Sequence, residues 1–163
     1  MLSEDLAKKL NEQIQYEFFA ESQYLAMAGY YYSKKLSGFA GFFLGQSVEE
    51  HQHGMKFFEF IHENGGRAVI PGVKAPKNEF KSVSEPVDLA LKYEQEGVNR
   101  LYSLMNDAIE AKEHATAGFL KWFIDQQVKE VAALELLVNK MKMVGTEGHG
   151  LFMLDKKFGS KPE

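Results

Sequence analysis

Proline occurs at only four positions, 71, 76, 86 and 162, so the stretches 4–64 and 87–161 lack the residue that most strongly breaks a helix. Long helices follow. Ser3 is placed to cap a first helix running to about Ser33, and Lys34-Lys35-Leu36-Ser37-Gly38 interrupts it before a second helix from about Ser37 to Asn64-Gly65-Gly66. A connection of roughly eighteen residues carrying Pro71 and Pro76 lacks helical periodicity; Ser84 and Pro86 then supply a capping residue and an early-turn proline for a third helix. That helix reaches about Ala111, and after Lys112-Glu113-His114 a fourth ends before Gly145. Helices of ~27 to 30 residues are ~40 to 45 Å long, which suits a bundle. The short first and third connections predict antiparallel neighbours, while the long second one can cross the bundle, so helices two and three run the same way. A fifth helix at about 148–158 has Leu151, Leu154 and Phe158 at helical spacing and needs a neighbour to cover them. The expectation is an all-α fold, one domain over 1–163, with the bundle at about 4–144.

Composition narrows the chemistry. The 163 residues include no cysteine, which removes disulfides, thiolate metal sites and thiol nucleophiles, so any metal must be held by oxygen and imidazole ligands. With 19 basic and 23 acidic side chains the net charge is -4, which argues against a nucleic-acid partner. No run approaches the ~18 to 20 apolar residues of a membrane span, and the N-terminus lacks the basic flank and apolar block of an export signal. A cytoplasmic protein with no membrane partner is expected.

At about 100° per residue, each long helix shows one apolar stripe with a glutamate near half-height. Helix one places Leu6, Leu10, Ala20, Tyr24, Ala28 and Tyr31 around Glu17; helix two places Phe39, Phe43, Phe57 and Ile61 around Glu50. Helix three places Val87, Ala90, Val98, Leu101 and Met105 around Glu94, and helix four Phe119, Phe123, Leu134, Leu137 and Met141 around Glu130. One such glutamate is commonly a buried acid paired with a base. These stripes contain no lysine or arginine, however, and each uncompensated buried anion costs several kcal/mol. Four together require a bound cation, or else they stay protonated.

Helix two adds His53, three residues from Glu50 and about 60° away on the same face, a Glu-x-x-His ligand pair. The second copy of that spacing, Glu59 with His62, lies nine residues further on, about 180° round the helix, and points outward. Carboxylates with one imidazole suit iron or manganese and, less selectively, zinc. Two divalent ions neutralise four carboxylates, and so does a diferric pair with a bridging oxide.

These residues resemble the ferritin-like di-iron carboxylate proteins, whose general arrangement of inward glutamates with Glu-x-x-His is well described, and among them bacterial-type non-haem ferritins. The resemblance spans nearly the whole chain: Glu17 with Tyr24, Glu49-Glu50-x-x-His53, Glu94, Trp122-Phe123, Gln127-x-x-Glu130, and Gly-Leu-Phe-Met-Leu-Asp at 150–155. It implies a ferroxidase centre with two irons per subunit. Glu17, Glu50 and His53 would hold one iron, and Glu50, Glu94 and Glu130 the other, with Glu50 bridging. Tyr24 would lie beside the first iron and Gln127 beside the second, as catalytic hydrogen-bond partners or electron donors. It further implies oxidation of Fe(II) by O2 or peroxide and storage of the ferric product as mineral in a homo-oligomeric shell of twenty-four, with the fifth helix at the four-fold contacts.

The departures from the family pattern are specific. A third iron site in such proteins uses acids at the positions of Glu49, Gln126 and Lys129; two of the three are not acids here, so a weak or absent third site is expected. Bacterioferritins carry a second Glu-x-x-His in helix four and a haem-ligating methionine after the bridging glutamate. This chain has Gln127-x-x-Glu130 and His51 there, so no haem is expected and His51 reads as a surface or interface residue. Rubrerythrin-like peroxidases need a cysteine-rich iron module. A purely structural or cytokine-like four-helix bundle leaves Glu94 and Glu130 unexplained. Tyr31 alone of Tyr30, Tyr31 and Tyr32 falls on the core stripe, and the methionines read as packing rather than ligands.

Overall fold

Ser3 begins the first helix: its hydroxyl accepts a bond from the Leu6 amide at 3.4 Å, satisfying one of the free amides of the first turn. The computed structural model describes residues 2–159, and the extreme ends of the expected 1–163 span lie outside the described residues. Within them the helices are α1 (Glu4–Ser33), α2 (Ser37–Glu63), α3 (Glu85–Glu110), α4 (His114–Val144) and α5 (Gly148–Gly159). Among the described residues none of these helices is long and apolar enough to cross a membrane.

Both α2 and α3 start where the sequence predicts, but neither is capped by the side chain of its own N-cap residue, the role expected of Ser84. Ser84 makes no capping bond; the Ser82 hydroxyl accepts from the Glu85 amide at 3.3 Å instead, because Ser84 already has helical backbone angles. The start of α2 has no local side-chain cap, and its Phe39 amide donates to Asp155 Oδ1 of α5 at 2.9 Å. A long-range cap thus replaces a local one. Gly38 is what allows it, since a Cβ there would lie 1.7 Å from the Asp155 carbonyl oxygen.

The apolar side chains form two clusters, and their membership gives the helix directions. One joins the C-terminal half of α1 (Tyr24, Met27, Tyr31) to the N-terminal halves of α2 and α3 (Phe39, Phe43, Val87) and to Leu137 and Met141 of α4. The other joins Leu6, Leu10 and Ile14 to Phe57 and Ile61, Leu101 and Leu104, and Leu120 and Phe123. Consequently α1 and α4 run one way and α2 and α3 the other, the topology with one long crossover. α5 closes the first end, burying Leu151 and Leu154 and stacking Phe158 on Phe39 with centroids 5.7 Å apart.

The inward seam is narrower than a 100° stripe predicts. On α3 the residues 87, 90, 94, 97, 101, 104 and 108 are buried, and on α4 those at 116, 120, 123, 127, 134, 137 and 141, a three-four alternation. That 3.5-residue repeat is the seam of gently supercoiled helices. Val98, Met105 and Phe119, expected on the core stripe, are therefore only half-buried, and Gly97, Leu104, Ala108 and Leu120 occupy the inward line. Glu17, Glu50 and Glu94 all lie on such seams, as does the half-buried Glu130.

The crossover at 64–84 is held by amide side chains of α1. Asn11 donates to the Arg67 carbonyl (3.1 Å) and accepts from the Val69 amide (2.7 Å), and Gln15 donates to the Gly72 carbonyl (2.7 Å). Gln23 donates to the Lys77 carbonyl (2.8 Å) and accepts from its amide (2.9 Å), and Tyr31 donates to the Val83 carbonyl (2.6 Å). Both sequences ascend together, so the crossover runs along α1 in its own direction. Backbone groups that a loop would otherwise leave to water are met by a helix face.

Candidate metal centre

Between the two apolar clusters lies a polar layer. Glu17 from α1, Glu50 and His53 from α2 and Glu94 from α3 are buried, and Glu130 from α4 is half-buried. One ligating atom each from Glu17, Glu50 and His53 fall within 4.8 Å of one another, and so do those of Glu50, Glu94 and Glu130. Glu50 is common to both groups. His53 Nδ1 lies 3.4 Å from Glu50 Oε2 and 3.9 Å from Glu17 Oε2, so this nitrogen faces the carboxylates. Its ring is wedged edge-on against Trp122 and Phe123, with centroids 5.8 and 5.5 Å away, which fixes its plane.

The groups that donate to Glu94 and Glu17 are neutral. The Tyr24 hydroxyl and Gln127 Nε2 both donate to Glu94, one to each oxygen, and Gln127 Nε2 also reaches the Glu94 carbonyl at 3.2 Å. Gly97 makes room for that amide, since a Cβ there would meet Gln127 Nε2 at 2.8 Å. Gln13 Nε2 donates to Glu17 Oε1 at 2.7 Å. Glu130 Oε2 is buried and has no hydrogen-bond partner among the described residues. An orphaned carboxylate oxygen in an apolar interior costs about 1–3 kcal/mol or more, and a cation is the partner that such an acceptor-only group lacks.

Burial dominates the titration of the set. It holds Glu17 well above the usual carboxylate range, with the Glu50 carboxylate adding to the effect, and it raises Glu50 likewise. Burial brings Glu94 to about 7 even though Tyr24 donates to it. Burial and then the Glu94 carboxylate push Glu130 up to about 9. Without a cation the layer therefore retains protons at neutral pH, and a divalent ion would displace them. Oxygen donors with one imidazole around a shared carboxylate fit a pair of intermediate divalent ions such as iron. Beside them is a cavity of about 10 Å³ lined by Tyr16, Gly97 and Leu101 as well as Glu17, Glu50 and Glu94, room for about one water.

All five sequence-predicted ligands thus meet in one layer, with Tyr24 and Gln127 against it. Glu59 and His62 are both exposed, as the 180° offset requires, and Glu49 is exposed on α2. Gln126 is half-buried and Lys129 exposed. His51 lies on the surface 3.2 Å from Glu21 and stacks on Phe18. The sequence reading missed Gln13, which is 1% exposed, and Arg100, whose Nε donates to Gln13 Oε1 at 3.0 Å. Gln13 was findable: it lies four residues before Glu17 on the same seam. Arg100 was not, because its Cα lies off the seam of α3 and only the side chain reaches inward.

A one-crossover four-helix bundle with carboxylates from all four helices meeting at half-height defines a ferritin-like carboxylate protein. A family model, the Ferritin-like domain, matches residues 7–144. The bacterial non-heme ferritin of Staphylococcus aureus (strain MRSA252) is 38% identical over 161 residues, covering 99% of this chain and 97% of that one. That of Staphylococcus haemolyticus (strain JCSC1435) is 37% identical over the same length. The open pore ferritin of the hyperthermophilic archaeon Archaeoglobus fulgidus superposes with a TM-score of 0.96 at 33% identity, covering 99% of each chain. The chain belongs to the ferritin family.

Proposed function

We propose that this chain is an iron-storage ferritin subunit whose polar layer is a ferroxidase centre. Iron is both substrate and cargo. Glu17, Glu50 and His53 take one ferrous ion, Glu50, Glu94 and Glu130 the other, and Glu50 holds the two close together. Each ion gives one electron, so the pair reduces O2 with two protons to hydrogen peroxide, or peroxide with two protons to water, without releasing a one-electron radical. Tyr24 and Gln127 keep Glu94 fixed by donating to its two oxygens. Burial and then Glu94 hold the Tyr24 phenol well above its ordinary range, so it remains a donor.

The single observation that carries this reading is the pair of three-residue ligand groups sharing Glu50, with Glu130 Oε2 left without a partner in the second. In the same reading, a homo-oligomeric shell of twenty-four such one-domain subunits in the cytoplasm stores the ferric product as mineral. No haem is bound, and the third site at Glu49 is weak or absent because Gln126 and Lys129 replace acids. Aerobic ferrous titration of the purified assembly, followed at a ferric absorption band, tests it. Fast oxidation saturating near about two irons per subunit is expected, lost in Glu94→Ala and Glu130→Ala. Wild-type rates equal to those of both variants would instead identify a passive container.

A further inference from the structure

We propose that Arg100 is a positioning residue that, through Gln13, fixes which oxygen of Glu17 is left for a metal ion. The inference rests on the metal reading above and extends it to two residues outside the ligand set. Gln13 is buried on α1 one turn before Glu17, and its amide bonds on both sides. Arg100 Nε donates to Gln13 Oε1 at 3.0 Å, and Gln13 Nε2 donates to Glu17 Oε1 at 2.7 Å. A guanidinium can only donate. The amide oxygen must therefore face Arg100 and the amide NH2 must face Glu17. Rotated half a turn, it would set its NH2 against the donor-only guanidinium and its oxygen against the carboxylate, both repulsive.

Arg100 is itself clamped. Its other nitrogens include one donating to the Glu12 carbonyl at 3.3 Å, and its guanidinium lies over the Tyr16 ring, 4.6 Å from the centroid. Tyr16 in turn donates to the Tyr93 carbonyl of α3 at 2.5 Å. The chain Arg100–Gln13–Glu17 thus ties α3 to α1 on one flank of the carboxylate layer. With Oε1 engaged by Gln13, Glu17 presents Oε2, the oxygen 3.9 Å from His53 Nδ1. Glu17 is set to offer Oε2 first, since one lone pair of Oε1 is already taken by Gln13.

Anaerobic Co2+ titration of the purified assembly, read by calorimetry and by the visible ligand-field band, tests this without turnover. Wild type is expected to take up about two ions per subunit, one in each ligand group. Arg100→Met is expected to weaken the Glu17 site about tenfold, the usual scale for losing a partner of a ligand, and to change the band shape while the Glu94 and Glu130 site keeps its affinity. Arg100→Lys retains a donor and should restore the wild-type band. Gln13→Leu should match Arg100→Met, and adding Arg100→Met to it should change nothing more, since both remove one linkage. Should Arg100→Met not assemble, Gln13→Leu against Arg100→Lys makes the same comparison. A wild-type-like Arg100→Met, or an undiminished Arg100→Met effect in the Gln13→Leu background, would overturn the positioning role. Absence of Co2+ uptake by wild type would overturn the metal reading, and this role with it.

Discussion

Glu130 makes the electrostatic problem of the interior most explicit. Its folded carboxyl titrates at about 9, raised first by burial, and Glu94 at about 7. Acids with raised folded values are most favourable below the unfolded value of ~4.3, and their contribution is lost as pH climbs to the folded value, because the native state binds more protons over that window. Metal-free protein should therefore lose thermal stability between about pH 5 and pH 9. A midpoint that rises across this window in a calorimetric scan would contradict the burial of these acids. At pH 8 the folded Glu130 must hold a proton that the unfolded chain has released, so Glu130→Gln is expected to stabilise the metal-free protein by about 1–3 kcal/mol there with little effect at pH 4.5. The same protons must leave when a cation binds. Zn2+ added to weakly buffered protein at pH 7 should release protons, and fewer at pH 9.5; pH-independent release would show that the carboxylates were already ionised.

At the level of helices, two attachments hold the accessory segments. Asp155 of α5 caps α2 through the Phe39 amide, and the close approach depends on Gly38. Gly38→Ala should push α5 off the bundle, while Asp155→Ala should cost about 1 kcal/mol, the usual value of a lost helix cap. Hydrogen exchange should reveal faster exchange across 148–159 in both, with Co2+ uptake preserved because the metal layer lies between the clusters, away from that end. The crossover depends on α1: Gln23 bonds both backbone groups of Lys77. Gln23→Ala is expected to speed exchange at the Lys77 amide and to destabilise by about 1–3 kcal/mol, since two buried or half-buried bonds are lost. Unchanged protection there would mean that the Asn11, Gln15 and Tyr31 bonds suffice to hold the segment. Sequence punctuation located the ends of all four long helices, but both of these attachments join residues more than fifty positions apart, which no local pattern encodes.

Across the whole molecule, a polar layer divides what would otherwise be one continuous core. Tyr24, Phe43 and Leu134 lie on one side, and Ile14, Phe57 and Phe123 on the other. Replacing a buried polar set with apolar residues of similar volume often stabilises a fold. The triple variant Glu50→Leu, Glu94→Leu and Glu130→Leu is thus expected to raise the melting temperature of metal-free protein at pH 8 and to abolish Co2+ uptake. A lower melting temperature than metal-free wild type would show that the carboxylates support the fold directly.

The sequence alone determined the helices, their order and the residues of the layer. Proline placement limits where a helix can end, and a glutamate recurring on every apolar stripe is a pattern visible without coordinates. Tertiary structure decided the rest: that the seam repeats every 3.5 residues and moves Val98, Met105 and Phe119 off the core line, that Asp155 rather than a local residue caps α2, and that Arg100 reaches Glu17 through Gln13. Periodicity reports which face a residue takes on its own helix. Supercoiling, caps and side-chain relays depend on what a neighbouring helix brings within about 3 Å, and that distance exists only after the chain has packed.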